Sequence, residues 1–204
     1  MSTTKERLAP LRQLGIASVL MDASSRDHAA VGVDHVSGGR QAIGHLLAQG
    51  HRRIAYLAGR DELQQTRHRL KGAVQGIQNA GLEPAKVLQV IHLSNLNAAD
   101  GEEGMGRILD DGAKPTAVFC MNDIVALGAM RAIRARGLRI PDDLAVVGYD
   151  DLYFAAELMT PLTSVRQPMR QLGWAAADLL LTEHPHSLFE PELVLRASSD
   201  FKRG

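Results

Sequence analysis

The chain has 204 residues, 45% hydrophobic and 23% charged, enough to bury one substantial core or two small lobes. Its 23 Lys and Arg balance its 23 Asp and Glu, so no general attraction to nucleic acid or to an anionic membrane is expected. The single cysteine, Cys120, excludes an internal disulfide framework and the usual zinc clusters, and no apolar run reaches membrane-spanning length.

Residues 1–14 are polar and charged, without the apolar segment of an export signal, so a cytoplasmic location is expected. Ser2 to Thr4, with Glu6, are placed to cap a short helix that runs to Leu14 and stops at Gly15. Residues 17–21 read as a strand closing on Asp22, 24–28 as a polar turn, and 31–33 as a short strand into Asp34. An amphipathic helix over 39–49 presents Ile43, Leu46 and Leu47 and ends at Gly50. Strand 53–58 precedes a polar loop and a helix over 66–80, with Leu70, Ala73, Val74 and Ile77 inward and Gly81 as its stop. Next come a strand over 87–93 and a helix over 97–109, closed by Asp110, Asp111 and Gly112.

Residues 116–151 carry the clearest signal. An apolar run over 117–120 stops at Asn122-Asp123, and a helix over 124–136 carries Ile124, Leu127, Met130 and Ile133 at helical spacing before Gly137. After Pro141 a second apolar run, 144–149, ends at Asp150-Asp151. Two strands joined through a helix are expected to be parallel neighbours with a right-handed crossover. Asn122 and Asp150 then share the carboxyl edge of a sheet, where open α/β folds bind ligands. Beyond Asp151, a loop or short helical piece over 152–162 leads through 163–167 and Pro168 into a helix ending near Leu181. Leu172, Ala176, Leu179 and Leu180 share one face of it, His184-Pro185-His186 reads as a turn, and 192–197 reads as a last strand. Repeated β-α order, with strands apolar on both faces, predicts an α/β fold with a mainly parallel, helix-covered sheet.

The stretch MNDIVALGAMRAIRARGLRIPDDLAVVGYDD closely resembles the effector-binding core of the LacI/GalR family of bacterial transcriptional regulators. It matches the family run ANDxxAxGxxxAxxxxGxxxPxDxxVxGxDD except at Met121, which replaces the opening alanine. GVDHVSGGRQAIGHLLAQGHRRIAYLAG, TRHRLKGAVQGIQNAGL, PLTSVRQPMRQLGWAAADLLL and PELVLRAS resemble their family counterparts in order and spacing, so nearly the whole chain is covered. The resemblance implies a parallel-sheet, two-lobe α/β fold of the periplasmic-binding-protein type. Its C-terminal lobe would be 34–162 plus 188–204 and complete; its N-terminal lobe would be partial, 1–33 plus 163–187. The helix-turn-helix headpiece and the first units of that lobe have no match here. Strands SVLMD and AVGVD are therefore expected to be exposed, loosely packed or paired with another chain.

Taken as a residue alone, Arg67 reads as a solvated arginine at a helix start. The resemblance implies instead the arginine that clamps the effector, its planar fork holding two hydroxyls or a carboxylate. Asn122 suits either a helix N-cap or a ligand hydroxyl, and both roles hold if Asp123 does the capping. Asp150 is the foremost ligand candidate, since a carboxylate there accepts from two vicinal hydroxyls, each bond contributing about 1.5–3 kcal/mol. Asp151 reads as a structural cap. The resemblance adds Asp22 and Gln167, from the N-terminal lobe or hinge. Where the family places an aromatic platform for a sugar face, around His92 to Asn97, this chain offers Leu93 and Leu96, which leaves open a less carbohydrate-like effector.

His184 and His186 have no third ligand nearby, Cys120 reads as an inert apolar filler, and no nucleotide-binding glycine loop or metalloprotease motif is present, so no metal, cofactor or catalytic group is expected. The implied function is the sugar- or small-molecule-sensing core of a dimeric regulator that reaches operator DNA only through a headpiece outside this chain. A periplasmic-type sugar-binding protein is the alternative, and the lack of an export signal counts against it. A hydrolase using Asp22 and Asp150 as a carboxylate pair has no supporting base or nucleophile, so the chain is not read as an enzyme. Leu70, Val74 and Ile77, or residues of the 124–136 helix, are placed for a subunit contact or, the commoner fate of such stripes, for the internal core.

Overall fold

A computed structural model describes residues 4–22, 25, 28–112, 114–182 and 187–200. The first elements are α1 (Thr4–Gln13), β1 (Leu20–Met21), β2 (Ala30–Val33), α2 (His35–Ala48), β3 (Ile54–Ala58), α3 (Gln64–Asn79), α4 (Pro84–Val87) and β4 (Leu88–His92). They are followed by α5 (Ala98–Asp110), β5 (Ala117–Cys120), α6 (Asp123–Ala135), β6 (Ala145–Asp150), β7 (Thr163–Arg166), α7 (Met169–Thr182), β8 (Ser187–Phe189) and β9 (Glu192–Val194). Two compact units result, Met1–Asp34 with Pro168–Glu190, and His35–Gln167 with Pro191–Gly204.

The larger unit is a six-stranded sheet in the order β4-β3-β5-β6-β7-β9. All its pairings are parallel except β7 with β9. As expected, β5 and β6 are parallel neighbours joined through α6. Alternation along β3 sends Tyr56 and Ala58 to the core shared with α2 and α3, and Ala55 and Leu57 to the one shared with α5 and α6. Tyr56 stacks on Phe119 of β5 with ring centroids 4.7 Å apart.

Each helix pair approaches closely through glycines. A Cβ on Gly72 would run into the Val36 carbonyl of α2, and one on Gly128 into the Ala98 carbonyl of α5. Gly128→Ala is therefore expected to destabilise the chain by about 1–3 kcal/mol in urea denaturation. Gly44→Ala, on an exposed helical turn with nothing within 4 Å, is expected to stabilise it by about 0.5–1 kcal/mol. Equal effects at the two positions would contradict this packing.

Several elements differ from expectation for local reasons. Helix α2 begins at His35, before Gly38 and Gly39, because these glycines let it lie against Tyr149 and the backbone of Arg69. Val87 belongs to the short turn α4, which takes the first residue of the expected strand. The unit boundaries fall after Asp34, Gln167 and Glu190 rather than at 33, 162 and 187. Residues 163–167 lie with the larger unit because β7 is hydrogen-bonded between β6 and β9.

The smaller unit is a parallel three-stranded sheet, β1-β2-β8, on which α7 packs through Leu172 and Ala176. Strand β1 has only two residues, and β8 had no sequence counterpart. Helix α1 ends near Gly15 (φ +67), as expected. Leu180, expected on the buried face of α7, is exposed, as are Met21, Trp174 and Leu188. Ser2 and Thr3 of the expected cap, most of the 24–28 turn and the His184 to His186 turn lie outside the described residues.

Candidate functional site

Strand β6 ends in a turn with positive φ at both Asp150 (φ 100) and Asp151 (φ 50). A non-glycine residue held there costs about 1–3 kcal/mol, so surrounding contacts must impose the shape. Asp123, buried in the first turn of α6, supplies one of them. Its Oδ2 accepts from the Leu152 amide at 2.7 Å and its Oδ1 from the Ser164 hydroxyl at 2.6 Å. Ser164 in turn accepts from the Asp151 amide at 3.0 Å. Gly148 leaves the room, since a Cβ there would strike Oδ1 of Asp123.

The two structural carboxylates of this turn are tuned in opposite directions. Burial raises the Asp123 pKa to about 7; the Ser164 and Leu152 hydrogen bonds oppose the rise, and the charges of Asp150 and Asp151 add to it. Asp151 is also partly buried, which works against its charge. Hydrogen bonds from Arg196 Nη1 at 2.6 Å and Arg166 Nε at 2.7 Å outweigh that effect and hold its carboxyl below the usual range.

Asp150 has one oxygen engaged from two sides. Gln167 Nε2 donates to Oδ1 at 2.6 Å, and Arg69 Nη2 stands 3.7 Å from the same oxygen. The Asp150 side chain remains 28% exposed, against 5% for Arg69. Arg69 lies flat over the Tyr149 ring, 3.5 Å from its centroid, and donates to the Met121 carbonyl and to His35 Nδ1. Oε1 of Gln167 is buried and has no hydrogen-bond partner among the described residues. The carboxyl edge of the sheet thus presents a partly open carboxylate beside a fixed guanidinium and the Gln167 amide, a set suited to hydroxyl groups.

Of the residues expected at the site, the structure brings Asp150 and Gln167 together. Arg67 is not beside them; it is exposed and donates to the Asp61 carbonyl at 2.5 Å. Two positions on a helix are about 200° apart, so the side of α3 facing Asp150 belongs to Arg69. Asn122 is the N-cap of α6, its Oδ1 accepting from the Val125 amide at 2.8 Å. Asp123 therefore does not cap; it braces the turn that carries Asp150. Asp22 follows β1 in the smaller unit, with φ 52. Leu93 is buried core and Leu96 is half-buried against both clusters, so neither is a bare platform.

Sequence reasoning missed Arg69, Tyr149 and His35. A signal for Arg69 was present, because Thr66, Arg69, Ala73 and Ile77 form a buried stripe with steps of three and four. Among the described residues, no group of three His, Cys, Asp or Glu is placed to hold a metal, and no helix is long and apolar enough to cross a membrane.

Residues 43–199 match the family model described as a periplasmic binding protein-like domain. The HTH-type transcriptional regulator CelR of Thermobifida fusca is 37% identical over 175 residues, covering 82% of this chain and 51% of that protein. A LacI-family regulatory protein from Chloroflexus aggregans superposes with a TM-score of 0.84 at 32% identity, covering 98% of this chain and 74% of that one. CelR in complex with cellobiose superposes with a TM-score of 0.81 at 31% identity, covering 95% and 62%. The chain spans about half the length of the curated relatives it matches. In sequence and in fold the chain belongs to the LacI family of transcriptional regulators, of which it forms the periplasmic-binding-protein-like effector domain.

Proposed function

We propose that this domain senses a sugar or related polyhydroxy molecule, gripped by Asp150 with Gln167 and Arg69, and that it does so within a cytoplasmic DNA-binding regulator. The observation that carries the reading is the partly exposed Asp150 carboxylate at the sheet edge, set between a buried guanidinium and the Gln167 amide that donates to it. CelR, solved with cellobiose, supports the ligand class. The nitrogen of Asn122 and the carboxylate of Asp22 remain candidate contacts through the family resemblance. Residues 92–97 include no Phe, Tyr or Trp, so affinity is assigned to polar contacts rather than ring stacking.

The effector would favour one domain arrangement through its differential affinity, and a headpiece outside these residues would convert that bias into operator binding. A homodimer fits the exposure of Tyr153, Met159 and Ile124; Ile124 and Tyr153 are next in sequence to the Asp123–Leu152 hydrogen bond. On α3, by contrast, Ile77 belongs to the core, with Leu70 packed against it.

A calorimetric panel of mono- and disaccharides, with purines as the contrasting class, tests the assignment. Asp150→Ala is expected to weaken binding of the sugar that responds at least about tenfold, the equivalent of one lost charge-assisted hydrogen bond. Arg67→Ala is expected to leave it unchanged. Undiminished affinity in Asp150→Ala, or a response confined to purines, would overturn the proposal.

A further inference from the structure

Behind Arg69 stands a histidine that the effector contacts do not include. His35, the first residue of α2, is 4% exposed. Its Nδ1 lies 3.0 Å from the Tyr149 hydroxyl and 3.3 Å from Arg69 Nε. A guanidinium N–H can only donate, so Nδ1 must be an acceptor and the neutral ring carries its proton on Nε2. The Tyr149 hydroxyl then donates to the same nitrogen. The close approach depends on the two glycines that follow, because a Cβ on Gly38 would strike the Tyr149 hydroxyl and one on Gly39 the Arg69 carbonyl.

Each part of the Arg69 guanidinium is consequently fixed. Nε meets His35, Nη1 meets the Met121 carbonyl, the flat face meets Tyr149, and Nη2 is directed at Asp150. We propose that His35 is a positioning residue of the effector site: its neutral Nδ1 sets the plane of Arg69, and with it the way Asp150 is presented. The inference rests on the reading of Asp150 as an effector contact.

Nitrogen-15 spectra of the 204-residue chain test this without any ligand. The neutral His35 ring is expected as the Nε2-protonated tautomer. The Arg69 Nε–H resonance, held by His35 Nδ1, is expected to exchange slowly. His35→Asn, which keeps an acceptor oxygen, should preserve the slow resonance; His35→Leu should speed its exchange about tenfold, as for one lost hydrogen bond. An Nδ1-protonated ring, or an Arg69 Nε–H that exchanges as fast as that of an exposed arginine, overturns the role, and these two readouts decide even if His35→Leu fails to fold. The calorimetric panel separates the two ideas. If Asp150→Ala leaves binding intact, the effector reading falls; if Asp150→Ala weakens binding while His35→Leu does not, only the role of His35 falls.

Discussion

Replacing Arg69 with leucine is expected to cost the larger unit about 3 kcal/mol of stability, while Arg67→Leu, two positions earlier, is expected to change little. Arg69 is 5% exposed and serves a carboxylate, a carbonyl and a ring nitrogen at once. Leucine would fill much of the volume but leave all three acceptors facing an apolar side chain. Removing one member of a buried charge pair costs about 3–5 kcal/mol, and the 28% exposure of Asp150 places this case at the lower end, because water reaches the stranded carboxylate. Arg67 only touches the Asp61 carbonyl at the surface. Urea denaturation followed by circular dichroism measures both. Equal losses in the two variants would mean that Arg69 does not hold the rim.

Asp123→Asn is expected to remove a pH dependence of stability. The folded Asp123 pKa is raised to about 7 from the ordinary 3.8. Between those values the unfolded chain gives up the proton and the folded chain keeps it. Asp123 thus contributes stability that is fully present below the unfolded pKa and is lost as pH rises towards 7. For one proton the slope reaches about 1.4 kcal/mol per pH unit, so the wild type should fall relative to Asp123→Asn by up to about 4 kcal/mol from pH 4 to 7. Asparagine resembles the protonated carboxyl, accepting from the Leu152 amide and donating towards Ser164. Asp151 acts in the other direction and in another window, since its carboxyl lies below the usual range and its contribution is lost only on acidification. Urea midpoints across pH 4 to 8 decide the matter; parallel curves for wild type and Asp123→Asn would refute the buried proton.

The β5–α6–β6 segment was legible because its strands are short apolar runs with polar ends, and because Gly137 stops a helix whose spacing is unmistakable. Asp150 followed from topology alone, as the end of a parallel strand beside a crossover. Arg69 was harder to see, since choosing between two arginines two positions apart needs the helix phase, which Thr66, Ala73 and Ile77 encode only once they are known to be buried. Asn122 took the capping role that Asp123 was expected to share, for a related reason. Either suits an N-cap, and only Ser164 and Leu152, 41 and 29 residues away, decide that Asp123 turns inward. Strand β8 was hidden because Ser187–Phe189 is too short to show any period.

The larger unit closes with residues made late in synthesis. Strand β9 covers the free side of β7, Ser198 bridges the Thr163 amide and the Val146 carbonyl, and Arg196 completes the hold on Asp151. A ribosome must therefore translate the whole excursion from 168 to 190 before the turn carrying Asp150 can lock. A nascent chain halted before Arg196 would contain Asp150, Gln167 and Arg69 yet lack the brace on Asp151. The turn that carries Asp150 should consequently set only after Arg196 has been translated.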